Sequence, residues 1–257
     1  MSYYSVILGF NATKTARSPN VWNQEYKDKE MNASMKAIDV NDDDDFKTKF
    51  NELFYDPDCL GGAIAVPYKS LAAELCITSN NSINCFFKRE KEKFIGINTD
   101  GRAAYDCIKD IRKNFEYKNI YVLGNGSTAQ ALFESIENDK KNYINFVRTK
   151  KSEIDSFNIY QKDLNTIYNE NFSEKTLIVN CTSVGGPMDP EGEILNFEKF
   201  THNFDSNNLY IFDVNQPDNL NKLGSLCNKL QIKYENGIKM NKLQAKIAFS
   251  EVNKILL

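Results

Sequence analysis

The feature that most constrains the fold is the stretch N-I-Y-V-L-G-N-G-S-T-A-Q-A-L-F over residues 119–133. An apolar run leads directly into Gly124-Asn125-Gly126-Ser127-Thr128-Ala129, where a helical pattern begins. In a dinucleotide-binding turn the first glycine permits the tight bend, and the second lets the backbone approach a pyrophosphate at the helix N-terminus. Ser127 or Ala129 stands where a third glycine is usual. An ordinary βα turn that needs two glycines is the alternative.

The end of the next strand favours one dinucleotide over the other. An NAD site usually places an acid there for the ribose 2′-hydroxyl, but this strand reaches no acid until Glu153. It offers Arg148, Thr149 and Lys150 instead, which are donors suited to a 2′-phosphate. The pattern therefore predicts NADP rather than NAD. Solvated charges at a strand end are the alternative.

Hydrophobic periodicity along the chain predicts an α/β fold with parallel sheets, because strand patterns alternate with amphipathic helix patterns. The pattern of the sequence changes near Gly101, and this change predicts two lobes. We expect an N-terminal α/β substrate lobe over 1–101, completed by 238–257, and a Rossmann NADP-binding lobe over 102–237. The last helix would return to the substrate lobe, and both ligands would lie in a cleft between the lobes.

Composition excludes several classes of protein. The 257 residues carry a net charge of −3, so no basic field indicates nucleic acid or an anionic membrane surface, and no apolar run is long enough to span a membrane. The six cysteines form no C-x-x-C pair and His202 is the single histidine, so we expect no metal site. The scattered thiols and the lack of a signal-peptide pattern predict a cytoplasmic protein. The sequence leaves monomer and homodimer both open.

Two charged residues in the first lobe stand at the ends of strand-like segments. Lys69 closes A-I-A-V-P-Y-K over residues 63–69, and Asp100 lies in I-N-T-D-G over residues 97–101. Either could be a surface charge. Together they could form a catalytic pair, because a lysine beside an aspartate keeps its proton, stays positioned and can exchange that proton with a hydroxyl or carbonyl oxygen.

The sequence resembles the shikimate dehydrogenase family in eight short segments, which follow the family's order along the chain. The segments that carry the resemblance are F-N-A-T-K-T-A-R-S-P-N-V-W-N (10–23), A-I-A-V-P-Y-K (63–69), S-I-N-C-F (82–86), I-N-T-D-G (97–101), V-L-G-N-G-S-T-A-Q-A (122–131), F-V-R-T-K (146–150), L-I-V-N-C-T-S-V-G-G (177–186) and N-G-I-K-M-N-K-L-Q-A-K-I-A-F (236–249). Each is short, and their order makes them specific.

The resemblance implies reversible hydride transfer between NADP(H) and the ring carbonyl of 3-dehydroshikimate, in the biosynthesis of chorismate and aromatic amino acids. It implies that Lys69 is the proton donor or acceptor and that Asp100 holds both the lysine and a ring hydroxyl. The strand that ends in proline would deliver Lys69 rigidly to the site. The implied substrate-binding residues are Ser18, Asn84 and Gln244. The implied cofactor-binding residues are Gly124, Asn125, Gly126, Ser127, Thr128, Arg148, Thr149, Lys150, Thr182, Val214 and Gly237.

The departures from the family pattern concentrate on substrate binding. Alanine stands at 16, 63 and 65 in place of serine, asparagine and threonine, and Trp22 replaces a histidine. The tyrosine expected after Asp213 is missing from D-V-N-Q-P. Thr13, Thr15, Arg17 and Asn215 are nearby donors that could replace the lost groups. The sequence therefore supports the reaction type better than the substrate.

Three hypotheses stay open at this point. The first is a shikimate dehydrogenase in the narrow sense. The second is a paralogue with the same chemistry on another hydroxylated ring acid, such as quinate. The third is a non-catalytic protein that binds NADP. The survival of both Lys69 and Asp100 disfavours the third.

Overall fold

Two units make up the chain in the computed structural model, one of residues Met1–Asp100 with Lys242–Leu257 and one of Gly101–Asn241. The structure describes residues 3–89, 92–136, 142–155, 157–186, 189–200, 205–216, 220–254 and 256. The predictions made for His202 and Pro217 lie outside the described residues.

The first unit contains a five-stranded sheet in the order β2-β1-β3-β4-β5. Its strands are β1 (Tyr3–Gly9), β2 (Ala33–Asp39), β3 (Cys59–Ile64), β4 (Cys85–Phe87) and β5 (Ile95–Ile97). The first three strands run parallel, whereas β4 is antiparallel to both β3 and β5.

Helices connect the first four of these strands, and two of the helices begin at a signal in the sequence. They are α1 (Ala12–Thr15), α2 (Ser18–Asp28), α3 (Asp43–Tyr55) and α4 (Lys69–Leu75). Pro19 lies in the first turn of α2, where its missing N–H costs nothing. Asp42 caps α3 by accepting the backbone N–H groups of Asp44 and Asp45, so the acidic run stabilises a helix start.

The third strand corrects one prediction. β3 ends at Ile64, and Lys69 is the first residue of α4 rather than the end of a strand. Pro67 has no N–H for the strand ladder, so the pairing stops before it and a turn follows. Lys69 is therefore held by a helix start, with the amide of Tyr68 bonded to Ala65 O at 3.2 Å.

Two apolar clusters form the core of the first unit. One includes the mutually packed rings of Phe46, Phe50, Phe86 and Phe94. The other joins α2 to the C-terminal helix, where Trp22 packs edge-on against Phe249 at 5.5 Å between ring centroids.

The second unit contains a six-stranded sheet in the order β11-β10-β9-β6-β7-β8, with every adjacent pair parallel. Its strands are β6 (Asn119–Leu123), β7 (Tyr143–Val147), β8 (Tyr160–Asp163), β9 (Thr176–Asn180), β10 (Leu209–Asp213) and β11 (Lys233–Asn236). The helices that lie wholly or partly in this unit are α5 (Thr99–Asn114), α6 (Ser127–Ser135), α7 (Ser152–Asp155), α8 (Lys222–Lys229) and α9 (Ile238–Val252).

This sheet confirms the predicted Rossmann arrangement of alternating strands and helices. The strand order reverses between β6 and β9, because β7 and β8 lie on one side of β6 and the later strands lie on the other. The edge strands β8 and β11 were not predicted, because they are short and polar and carry no apolar run. Helix α9 starts in the second unit and ends in the first, as the fold class requires.

Candidate active site

The first unit brings together the two charged residues that the sequence singled out. Lys69 opens α4, and Asp100 lies in the first turn of α5. The Lys69 Nζ lies 2.7 Å from Asp100 Oδ2, and the two side chains are 23% and 14% exposed. A strong ion pair thus forms where a ligand can still reach it, which is the state required of a proton-exchanging lysine.

Asn84 holds the carboxylate of this pair from the other side. Its Nδ2 donates to Asp100 Oδ1 at 2.8 Å, and its own Oδ1 accepts the backbone N–H of Thr99 at 2.8 Å. Asn84 is buried, 5% exposed. Its role in this structure is to orient Asp100, because its amide group is already bonded to protein atoms on both sides.

Gln244 on α9 completes the polar cluster. Its Oε1 accepts from Asn84 Nδ2 at 3.2 Å, and the buried Thr99 hydroxyl lies 3.2 Å from the same oxygen. The hydrogen bonds therefore run from Gln244 through Asn84 and Asp100 to Lys69. Sequence reasoning missed Thr99, although it stands inside the I-N-T-D-G motif that carried Asp100.

A second missed residue is Asn98. Its Oδ1 accepts the backbone N–H of Asp100 at 3.0 Å, and its Nδ2 donates to Ser82 O at 2.9 Å. This contact caps the start of α5 and ties it to the segment that leads into β4. The I-N-T-D-G motif therefore serves as a helix start that aims Asp100.

Ser18 stands apart from this cluster. It is the half-buried first residue of α2, and within the described part of the chain its hydroxyl bonds to no protein group. The structure thus leaves Ser18 available to a ligand without joining it to Lys69.

Three of the candidate replacement donors are engaged elsewhere. The Thr13 hydroxyl donates to Asp39 at 2.6 Å, and the Thr15 hydroxyl donates to Asn11 O at 3.0 Å. Asn215 Nδ2 donates to Thr182 O and Asp213 Oδ1. Arg17 is exposed at the start of α2.

The glycine turn of the second unit has the conformation that its sequence requires. Gly124 has φ +91, which favours glycine. Gly126 has an ordinary backbone conformation, φ −73, and a Cβ placed on it would meet no atom within 4 Å. Nothing in the described part of the protein therefore requires glycine at 126, and open space lies beside its backbone at the start of α6.

The end of β7 lies beside this turn. Asn125 Nδ2 donates to Thr149 O at 2.7 Å, so the glycine turn and the Arg148-Thr149-Lys150 segment are joined. All three residues of that segment are exposed. Ser127 and Thr128 form the first turn of α6, next to the open space at Gly126.

The ends of β9 and β10 contain one buried carboxylate, that of Asp213. Near it lie Thr182, Val214 and Gly237. Asp213 is fully buried and accepts hydrogen bonds from Asn180, Asn215, Asn221 and Tyr234. Burial raises the pKa of Asp213, and the hydrogen bonds from Asn221 and Asn215 oppose the rise. Gly237 is required by packing, since a Cβ there would lie 2.0 Å from Val214 O.

The residues that the structure describes contain no group of three or more histidine, cysteine, aspartate or glutamate side chains that could hold a metal ion. None of their helices is long and apolar enough to cross a membrane.

Comparison with known proteins shows what this chain is similar to. Residues 7–84 match the shikimate dehydrogenase substrate binding domain. A shikimate dehydrogenase (NADP(+)) of Methanococcus aeolicus is 28% identical over 184 residues, which cover 65% of this chain. The aligned region spans 64% of that relative's own length.

Solved structures share the fold over almost the whole chain. Quinate dehydrogenase from Corynebacterium glutamicum, in complex with NAD, has a TM-score of 0.81 at 17% identity and covers 98% of this chain and 94% of its own. Shikimate 5-dehydrogenase from Thermus thermophilus, in complex with NADP(H) and shikimate, has a TM-score of 0.80 at 18% identity with the same coverage. The matched domain, the curated relative and the shared fold make this chain similar to shikimate dehydrogenases.

Proposed function

We propose that this protein catalyses reversible, NADP-dependent hydride transfer between a ring hydroxyl and the corresponding ketone. The pair shikimate and 3-dehydroshikimate is the first substrate to test, and another hydroxylated ring acid such as quinate is the second. The observation that carries the proposal is the 2.7 Å contact between Lys69 and Asp100, part-exposed within the unit that matches a substrate-binding domain.

The polar cluster supports the proton half of this reaction. Oxidation of an alcohol releases a proton from its oxygen, and reduction of the ketone returns one to it. Lys69 Nζ is placed to exchange that proton, while Asp100 keeps the lysine oriented and accepts a hydrogen bond from a neighbouring hydroxyl. Asn84 keeps Asp100 in place, and Thr99 in turn holds Asn84.

The second unit supports NADP as the cofactor. The open space at Gly126 leaves room for a pyrophosphate at the start of α6, a nine-residue helix. Exposed Arg148, Thr149 and Lys150 are donors for a 2′-phosphate, and the named relative is an NADP(+) enzyme. When bound, NADP supplies or accepts the hydride. Thr182, Val214 and Gly237 are proposed to border its nicotinamide end.

The test is the rate of NADPH formation from NADP+ with shikimate and, separately, with quinate. The matched variant is Lys69→Met, which keeps most of the side-chain volume and removes the ammonium. We expect kcat to fall roughly 10²–10⁴-fold, the usual contribution of a positioned acid–base group. Lys47→Met is the control, because Lys47 pairs with Asp44 on the surface at 3.3 Å.

Two results would separate the hypotheses. Turnover of either acid that depends on Lys69 supports the dehydrogenase. NADPH binding with no turnover of any ring acid supports the non-catalytic alternative. The predicted cytoplasmic location stays a prediction, as does the choice between monomer and homodimer.

A further inference from the structure

Asp213, the last residue of β10, is a fully buried carboxylate to which the proposed mechanism gives no role. Its Oδ1 accepts hydrogen bonds from the side chains of Asn180 at 3.0 Å and Asn215 at 2.9 Å. Its Oδ2 accepts one from the side chain of Asn221 at 2.7 Å. Burying a charge is costly unless hydrogen bonds compensate it, and an apolar side chain would fill the same space at lower cost. The carboxylate therefore needs an explanation other than packing.

The three asparagines that bind Asp213 also hold one loop, residues 182–186, which we call the β9 loop. Each side chain donates its second amide hydrogen to a carbonyl group of this loop. The pairs are Asn180 with Val184 O at 3.2 Å, Asn215 with Thr182 O at 3.0 Å and Asn221 with Gly185 O at 3.0 Å. An amide NH2 group has two hydrogens, so in each asparagine one is bound by Asp213 and the other by the β9 loop.

The β9 loop lies against the glycine turn of the same unit. A Cβ built on Gly124 would lie 2.7 Å from Thr182 Cγ2, so Gly124 and Thr182 are in close contact. Asn180 Oδ1 accepts both the backbone N–H of Thr182 at 3.0 Å and its hydroxyl at 2.7 Å. The strand order reverses between β6 and β9, and a dinucleotide binds at such a point in sheets of this kind. The β9 loop therefore lies beside the proposed cofactor site.

We infer that Asp213 is a positioning residue for the nicotinamide half of NADP. The inference rests on the proposed use of NADP. An ionised carboxylate only accepts hydrogen bonds, so it turns the NH2 group of each asparagine toward itself and directs the second N–H to a loop carbonyl. The β9 loop is thereby held in one conformation before the cofactor binds, which lowers the cost of ordering it. Asp213 is fully enclosed and acts through the asparagines.

The experiment measures the binding of two ligands by titration calorimetry. One is NADPH, and the other is adenosine 2′,5′-bisphosphate, which carries the 2′-phosphate but no nicotinamide. Asp213→Asn keeps the shape of the side chain and places an NH2 group against the asparagines. We expect its Kd for NADPH to rise roughly tenfold, whereas its Kd for the bisphosphate stays within twofold of the wild type. In NADPH formation with a ring acid, we expect kcat/KM for NADP to fall roughly tenfold to a hundredfold, the effect of a small misplacement.

Two further variants separate positioning from stability. Leu209→Ala is the control, because Leu209 is buried at the opposite end of β10, and its truncation lowers the melting temperature by leaving a cavity. We expect both Kd values to stay at the wild-type level in this control. Asn215→Ala is the milder test, because Asn215 is half-buried and its side chain provides only part of the support. Its Kd for NADPH should rise roughly twofold to tenfold, the effect of losing an ordinary hydrogen bond.

A rise in the Kd for NADPH alone, in Asp213→Asn and to a smaller extent in Asn215→Ala, supports the inference. If Asp213→Asn does not fold, Asn215→Ala decides by itself. Equal weakening of both ligands, or a Kd for NADPH like that of Leu209→Ala, would overturn the inference and leave the proposed function standing. NADPH binding without turnover of any ring acid would overturn the proposed function, and the Kd values would still decide the role of Asp213. A wild type that binds no NADPH would overturn both.

Discussion

Asn84, just before β4, donates a hydrogen bond of 2.8 Å to Asp100 in the first turn of α5. The bond takes Asp100 Oδ1, which leaves Oδ2 to face Lys69 at 2.7 Å. A carboxylate bound on both oxygens cannot rotate freely, so the lysine that it holds is also positioned. The proposed chemistry depends on this arrangement.

Removing the anion of this pair is the most direct test of positioning. Asp100→Asn keeps the shape of the side chain but loses the charge that orients the lysine. We expect kcat/KM for the ring acid to fall at least about 100-fold. The measurement is steady-state NADPH formation, with Asp106→Asn as control, because Asp106 pairs with Lys109 on the same helix. Activity of Asp100→Asn within twofold of the wild type would contradict the assigned role.

Thr99 is predicted to stabilise the site through its hydroxyl. Thr99→Val has the same shape but leaves the amide of Asn84 and Gln244 Oε1 short of a buried partner. We expect the free energy of unfolding to fall by about 1–3 kcal/mol. Urea unfolding measures it, and Thr99→Ser, which keeps the hydroxyl, is the control. The prediction is wrong if both variants unfold at the same urea concentration.

Gly126 is predicted to be needed by the cofactor rather than by the fold. A methyl group at Gly126 meets no protein atom, so Gly126→Ala should melt at the wild-type temperature. It should raise the KM for NADP roughly tenfold, equivalent to about 1.4 kcal/mol, by crowding the pyrophosphate. Gly237→Ala is the contrasting variant, because its methyl group would collide with Val214 O and lower the melting temperature. An unchanged KM in Gly126→Ala would place the pyrophosphate elsewhere.

Arg148 is predicted to select NADP over NAD. Its exposed guanidinium can bond a 2′-phosphate, and a charge-assisted hydrogen bond is worth roughly 1.5–3 kcal/mol. Arg148→Ala should therefore reduce the ratio of kcat/KM for NADP to that for NAD by about 10-fold to 150-fold. Lys118→Ala is the control, since Lys118 pairs with Glu174 on the surface. An unchanged ratio would exclude Arg148 from cofactor selection.

Asp110 is predicted to make stability depend on acid pH. Hydrogen bonds from Lys113 and Lys239 lower the pKa of Asp110 to about 2, below its ordinary value of 3.8. A pKa lower in the folded state stabilises the protein above pH 3.8, and this contribution is lost as pH falls toward about 2. Because the carboxylate is 39% exposed, solvent screening keeps the effect below about 1 kcal/mol.

Urea unfolding of the wild type and Asp110→Asn at pH 6 and pH 3 measures this contribution. The difference in unfolding free energy between the two proteins should shrink at pH 3. Asp106→Asn, on the same helix, controls for the loss of one surface charge. An equal difference at both pH values would show that the two lysines do not stabilise the folded state through Asp110.

The sequence alone determined the elements whose signals are local. The glycine turn after β6, the proline in the first turn of α2 and the acidic start of α3 depend on residues a few positions apart, so their patterns could be identified without the fold. The pairing of Lys69 with Asp100 was also anticipated, because both residues follow strand-like segments in recognisable motifs.

Only the tertiary structure decided what these residues contact. Thr99 and Gln244 are 145 positions apart and share hydrogen bonds that no local pattern encodes. The loss of Asn215 and Thr13 as free donors became visible only when Asp213 and Asp39 were seen to bind them. The edge strands β8 and β11 form because neighbouring strands provide backbone hydrogen-bond partners. Their own sequences are too polar to predict a strand. Local propensity thus predicts where elements begin and end, whereas the partners of a polar side chain depend on which distant segments the folded core brings to it.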